Sequence, residues 1–128
     1  MTIDELKNIL ATGTQIEDYE NYWVINNHFF CPIFENTDMA VNVFAKNGEI
    51  VMSDMGLTYR NLQEIGIDLE QKELNDYFRK ILSTLSVNYD EKDHTLYLST
   101  KDKSQLSLVY SRLLQAIILL SYIDLQCE

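Results

Sequence analysis

The segment Met39-Ala-Val-Asn-Val-Phe-Ala-Lys-Asn-Gly-Glu-Ile-Val-Met-Ser-Asp-Met-Gly-Leu-Thr-Tyr59 constrains the fold more than any other part of this chain. Asn47-Gly48, set between two runs of alternating apolar residues, is the preferred two-residue type I′ turn, because both positions tolerate positive φ. The register follows from the turn. Lys46 faces Glu49, Ala45 opposes Ile50 and Val43 opposes Met52. Period-two alternation then puts Met39, Val41, Val43, Ala45, Ile50 and Met52 on one face. Asn42, Lys46 and Glu49 fall on the other, with Phe44 and Val51 among them, so that face is expected to be partly covered. The second strand runs directly into Ser53-Asp54-Met55-Gly56. Gly56 supplies a backbone conformation that a residue with Cβ resists, and Asp54 is placed to accept amide hydrogen bonds from the turn. Ser53, Asp54 and Gly56 are therefore read as a structural turn. Leu57 and Leu62 fit a hydrophobic staple around a Thr58 N-cap, opening a short helix that Gly66 closes.

The remaining elements are read from periodicity. Thr2-Ile-Asp-Glu5 forms a capping box ahead of the stripe Ile3, Leu6, Ile9 and Leu10, with Gly13 as the stop. Between 15 and 34 the composition turns aromatic and β-branched. Tyr22-Trp-Val-Ile25 favours a strand, Asn26-Asn27 a turn, and His28-Phe-Phe-Cys31 a second strand that Pro32 confines to an edge or an end. Asp68 is the expected cap of the next helix, with Gln71 at its third position. Leu74, Tyr77, Phe78, Ile81, Leu82 and Leu85 form the core face of that helix. Val87-Asn-Tyr89 and Thr95-Leu-Tyr-Leu98 read as strands around the polar turn Asp90-Glu-Lys-Asp93. A last helix over about 104–126 buries Leu106, Val109, Tyr110, Leu113, Leu114, Ile117, Leu120 and Ile123. Leu108, Ile118, Leu119 and Tyr122 widen its apolar arc and ask for a second burial surface. A homodimer contact through Ile118, Leu119 and Tyr122 is the expectation. Together these elements predict a single α+β domain over 1–128. A mainly antiparallel sheet of about five strands is packed by helices, in the order α-β-β-β-β-α-α-β-β-α.

Charge narrows the function classes. Twenty Asp and Glu against ten Lys and Arg give a formal charge of −10, which repels DNA, RNA and anionic membranes and attracts a basic protein surface. The opening residues carry no basic region or apolar core of a secretory signal. The run Ala116-Ile-Ile-Leu-Leu120 is too short to span a bilayer. Cys31 and Cys127 form no paired motif, which fits free thiols in a reducing cytoplasm. His28, Cys31, His94 and Cys127 are too scattered for a zinc set, and no phosphate-binding or dinucleotide fingerprint is present. No cofactor, metal or catalytic residue is expected. An enzyme would need Asp54 in a concave pocket beside other titratable groups such as Asp38 or Glu49. The alternative is binding: Tyr19, Tyr22 and Trp23, flanked by Glu17, Asp18, Glu20, Glu35 and Asp38, have the aromatic centre and charged rim of a protein-binding surface.

The aromatic strand ending at Cys31-Pro-Ile-Phe34, the hairpin from Asp38 onward, the turn Gly48-Glu-Ile-Val-Met-Ser-Asp-Met-Gly56 and the short helix ending at Gly66 resemble the "domain of unknown function 1828" family over about residues 25–90. That resemblance implies bacterial, prophage or mobile-element settings, in which many small acidic proteins act by binding other proteins. The expected function is accordingly a non-enzymatic, acidic interaction module. It would be an inhibitor that imitates nucleic acid towards a host defence factor. The element order is also similar to that of type III secretion chaperones, which are small, acidic and usually dimeric. That likeness offers the alternative of a dimeric chaperone that binds an extended segment in apolar grooves.

Overall fold

In the computed structural model, which describes residues 3–9, 14–27 and 39–123, the elements run α1 (Ile3–Ile9), β1 (Thr14–Asp18), β2 (Trp23–Asn27), β3 (Met39–Lys46), β4 (Glu49–Ser53), α2 (Leu57–Glu64), α3 (Lys72–Leu85), β5 (Asn88–Asp90), β6 (Thr95–Thr100) and α4 (Leu106–Ser121). The architecture is α+β. The strands form one antiparallel sheet in the order β1-β2-β3-β4-β6-β5. Asn47 and Gly48 both hold positive φ, 53° and 77°. Across that turn Lys46 pairs with Glu49, Ala45 with Ile50 and Val43 with Met52, the register that the turn chemistry requires.

Alternation along β3 holds from Met39 to Phe44 and ends at Ala45, expected on the buried face but exposed next to the turn. Met39, Val41 and Val43 are fully buried while Ala40, Asn42 and Phe44 are only partly so. The helices cover the buried face. α4 lies across β4 and β6, α3 packs on α4, α2 touches α4 and β6, and α1 meets β1. Leu106, Leu113, Ile117, Leu120 and Ile123 of the C-terminal segment have no exposed surface. They join Met39, Val41, Val43, Met52, Leu96 and Phe78 in one core cluster. Burying side chains of this size contributes ~1.5–3 kcal/mol each. The exposed Arg79–Glu91 and Lys103–Glu5 ion pairs contribute ~0–1 kcal/mol each. The apolar seam, not the surface charge, holds α4 to the sheet.

Several expectations need correction. The element order is the expected one, with six strands, but the first strand is placed differently: residues 14–18 form β1 opposite β2, with Ile16 facing Ile25. Only one apolar side chain alternates along Thr14-Gln-Ile-Glu-Asp18, so pairing rather than pattern makes the strand. Asn26 and Asn27 do not turn. They extend β2, opposite Ala40 and Met39 on one side and Gln15 and Thr14 on the other. Asn tolerates a turn without requiring one, and two flanking ladders satisfy its backbone better. The expected strand at His28–Cys31 and the Pro32 edge lie outside the described residues, as do Thr2, Leu10 and Gly13.

Thr58 is not a cap: it sits inside α2, whose N-cap is Gly56 at φ 80°. Asp68 caps nothing helical. Its Oδ1 accepts from the Glu70 amide at 3.0 Å, whereas Gln71 caps α3 by accepting from the Leu74 amide at 3.1 Å. The last helix starts at Leu106 rather than near Ser104, with a 3₁₀ turn at Lys103–Gln105 leading into it, and the expected residues 124–126 lie outside the described residues. Asp102 holds that turn by accepting from the Ser104 amide at 2.9 Å. The span Lys103–Ser121 is long and apolar enough to cross a membrane by length and composition, contrary to the reading of its five-residue core, and 44% of it is buried in the fold. Its apolarity is that of a helix with one side in the core.

Candidate functional site

Two places bring the sequence-predicted residues together: the tip of the β1–β2 hairpin and the turn between β4 and α2.

At the tip, the chain leaves β1 at Asp18 and re-enters the sheet at Trp23. The Tyr19 amide donates to the Tyr22 carbonyl at 3.0 Å and closes the loop. That bond places the two tyrosine rings in parallel contact, with centroids 4.9 Å apart and planes 12° apart. Both rings remain in solvent, Tyr19 at 46% and Tyr22 at 38% exposure. Glu17 braces the pair. Its Oε2 accepts from the Tyr19 hydroxyl at 2.6 Å and its Oε1 from Asn26 Nδ2 at 3.1 Å. The bond to Glu17 and the nearby carboxylate charge raise the Tyr19 pKa above that of an ordinary phenol, so this ring stays neutral and donating. Glu17, Asp18 and Glu20 are all exposed around it. Six candidate residues are thus neighbours along one hairpin, but Trp23 does not share the tip. It is partly buried and packs against the core. Glu35 and Asp38 lie outside the described residues.

The β4–α2 turn is built around Asp54, which is 1% exposed. Its Oδ1 accepts from the Gly56 amide at 2.9 Å and from the Leu96 amide at 2.9 Å, and its Oδ2 from the Thr58 amide at 3.3 Å. Its own amide donates to the Leu96 carbonyl at 3.0 Å. The carboxylate therefore caps α2 and rivets the turn to β6 at once. Burial pushes its pKa up, while the amide donors pull in the opposite direction. Thr58 Oγ1 is buried without completing a hydrogen bond of good geometry, yet it lies near enough to Asp54 to favour the charged form. Ser53 Oγ accepts from the Met55 amide at 3.0 Å. Ser53, Asp54 and Gly56 all serve the backbone. Glu49, at the far end of β4, is not among the described hydrogen-bond partners of Asp54, and Asp38 lies outside the described residues.

Beside this turn lies a ring stack that sequence reasoning missed. Tyr59 lies flat on His94, with centroids 3.8 Å apart and planes 3° apart. The Tyr59 hydroxyl donates to Glu70 at 2.8 Å, and the Tyr89 hydroxyl meets His94 Nδ1 at 2.6 Å. Phe78 meets Tyr89 edge-on at 4.9 Å, and the Arg79 guanidinium covers Tyr89 at 5.0 Å. Burial, with Glu70 second, raises the Tyr59 and Tyr89 hydroxyls to about 12. Shallow grooves of about 250 and 310 Å³ flank Tyr59, and Asp54 lines neither. The only signal for the stack was the placement of Tyr89 and His94 on either side of a hairpin turn, since Tyr59 comes from a helix thirty residues earlier. Among the described residues no group of three His, Cys, Asp or Glu side chains could hold a metal ion. His28, Cys31 and Cys127 lie outside them.

A family model described as domain of unknown function DUF1828 matches residues 31–119. The match starts after the tip and runs through most of α4. No curated protein and no solved structure matches the chain.

Proposed function

The chain belongs to the DUF1828 family, and from that premise we propose that it is a non-enzymatic protein-binding module that docks on a basic surface through the tip of its β1–β2 hairpin. One observation carries this reading: a solvent-exposed tyrosine pair held in parallel by its own turn and ringed by Glu17, Asp18 and Glu20. Rigid exposed tyrosines bury much area for little lost side-chain freedom, and a carboxylate rim steers a basic partner toward them. The net charge of −10 adds long-range attraction of the same sign. Flat stacked rings flanked by negative groups resemble stacked bases beside phosphates. The partner that fits is a nucleic-acid-handling protein, and occupation of its groove would inhibit it. A phage or mobile-element inhibitor of a host defence enzyme, acting in the bacterial cytoplasm, has this chemistry.

Immobilised protein should retain a nucleic-acid-binding protein from host lysate at about 50 mM salt and release it at about 500 mM, because charge-driven docking is screened over that range. Added duplex DNA should compete. Tyr22→Ala should weaken binding by about 30-fold, the scale of an interface anchor, and Glu17→Lys with Glu20→Lys should abolish it. Capture that survives high salt and ignores all three substitutions would instead support a chaperone-like groove. The candidate groove for that reading is the cleft of about 230 Å³ on the open face of the sheet, between Phe44, Val51 and Tyr97.

A further inference from the structure

We infer that the outer face of α4 is the two-fold contact of a homodimer, with two copies of this helix packed antiparallel about Gln115. The outer stripe of α4 and its C-cap carries Leu108 at 47% exposure, Leu119 at 43% and Tyr122 at 36%, together with exposed Ser111 and Gln115, while exposed Ser107 lies to one side of it. Along the chain these five positions are spaced three, four, four and three residues apart. Such spacing keeps them in one stripe along a helix, the seam geometry of a two-helix contact. It is also a palindrome. Turning a second copy through a two-fold axis at Gln115 sets Leu108 against the partner's Tyr122 and Ser111 against the partner's Leu119, and brings the two Gln115 side chains face to face. An isologous contact requires that self-complementarity, and the stripe meets the requirement.

Charge points to the same occupant. Twenty of the 128 residues are carboxylates, yet none lies between Lys103 and Ile123. Two bodies that each carry −10 repel through every acidic face, and this stripe is one on which a second copy can approach without placing carboxylates together. Gln115 Nε2 donates to Ser111 Oγ at 3.2 Å on the exposed surface. In the dimer the two amides on the axis exchange hydrogen bonds across it, so the polar centre of the stripe is satisfied and sets the register. The inference is independent of the hairpin tip, which shares no residue with it.

Sedimentation equilibrium from about 1 to about 100 μM, a range that brackets a small interface, should show a monomer–dimer equilibrium. Leu119→Glu should raise the dissociation constant by at least about 30-fold, because it buries a carboxylate without a partner against the facing Ser111 and its apolar neighbours, and it should leave the circular dichroism spectrum unchanged. In a Cys31→Ser, Cys127→Ser background, Gln115→Cys should cross-link to itself on mild oxidation, while Ser83→Cys on the exposed side of α3 should not. A monomer at the highest concentration overturns the inference. So does a dimer that withstands Leu119→Glu and fails to cross-link at position 115, since its contact lies elsewhere. Pelleting with vesicles of neutral lipid, lost in Leu119→Glu, would assign the stripe to a lipid surface and overturn it as well.

Discussion

Among the described residues, Asp54 is the side chain that accepts from the most backbone amides. Three buried amides from three segments, the turn, α2 and β6, point at one carboxylate. Each amide left without an acceptor costs ~1–3 kcal/mol, partly offset because the charge no longer needs to be buried. Asp54→Ala should therefore destabilise the fold by about 3 kcal/mol. Asp54→Asn should cost only about 1 kcal/mol, because its carbonyl still serves Gly56 and Leu96 while its NH₂ opposes the Thr58 amide. Urea denaturation of the three proteins decides this. Equal losses for Ala and Asn would mean that charge, not acceptor geometry, is what the turn uses.

The turn inside the β3–β4 hairpin and the turn from β4 into α2 each carry a glycine, and the two differ in their surroundings. Gly48 and Gly56 both hold positive φ, 77° and 80°. A Cβ on Gly48 would meet nothing within 4 Å, whereas one on Gly56 would lie 2.8 Å from the Asp93 carbonyl oxygen of the β5–β6 turn. Gly48→Ala should thus cost only the left-handed backbone preference, about 1 kcal/mol. Gly56→Ala should cost about 3 kcal/mol, because it must also push one turn off the other. Comparing their thermal midpoints tests the contact between elements, and matching values would remove it. The same contrast marks the limit of local reading. The Asn47-Gly48 signature is legible because its two partners are its own flanking strands. The proximity of Gly56 to Asp93 is not, because the chain between them includes α2, α3 and β5.

At the scale of the whole molecule, the stack of Tyr59, His94 and Tyr89 ties α2 to the β5–β6 hairpin, and burial lifts both phenols to about 12 from 10.0. The direction of the pH effect follows. Below pH 10 both folded and unfolded chains keep these protons, and the full stability is present. Above it the unfolded chain gives them up while the folded one holds them, so stability falls as pH rises toward 12. The loss should be roughly 3 kcal/mol for the two together, less than the sum of the shifts because Tyr89 is partly solvated. Urea midpoints at pH 9, 10 and 11 should show the decline, and Tyr59→Phe with Tyr89→Phe should flatten it. A midpoint that falls equally in both proteins would assign the effect to other groups.

Local chemistry alone determined the β3–β4 register, the buried faces of α3 and α4, the order of the elements and the crowding of Glu17, Asp18, Tyr19, Glu20 and Tyr22 into one short stretch. Each of these depends on residues a few positions apart, whose periodicity or turn preference is visible without the rest of the chain. Only the tertiary structure decided that Asn26 and Asn27 extend a strand, that the Asp54 carboxylate accepts from the Thr58 amide at the start of α2 whereas Thr58 caps nothing, that Trp23 turns to the core and away from its aromatic neighbours, and that His94 lies flat against Tyr59. In each of those cases a side chain or amide chose a partner supplied by a distant segment. A weak local preference of a few tenths of a kcal/mol yields to the larger penalty of leaving a buried group unpaired.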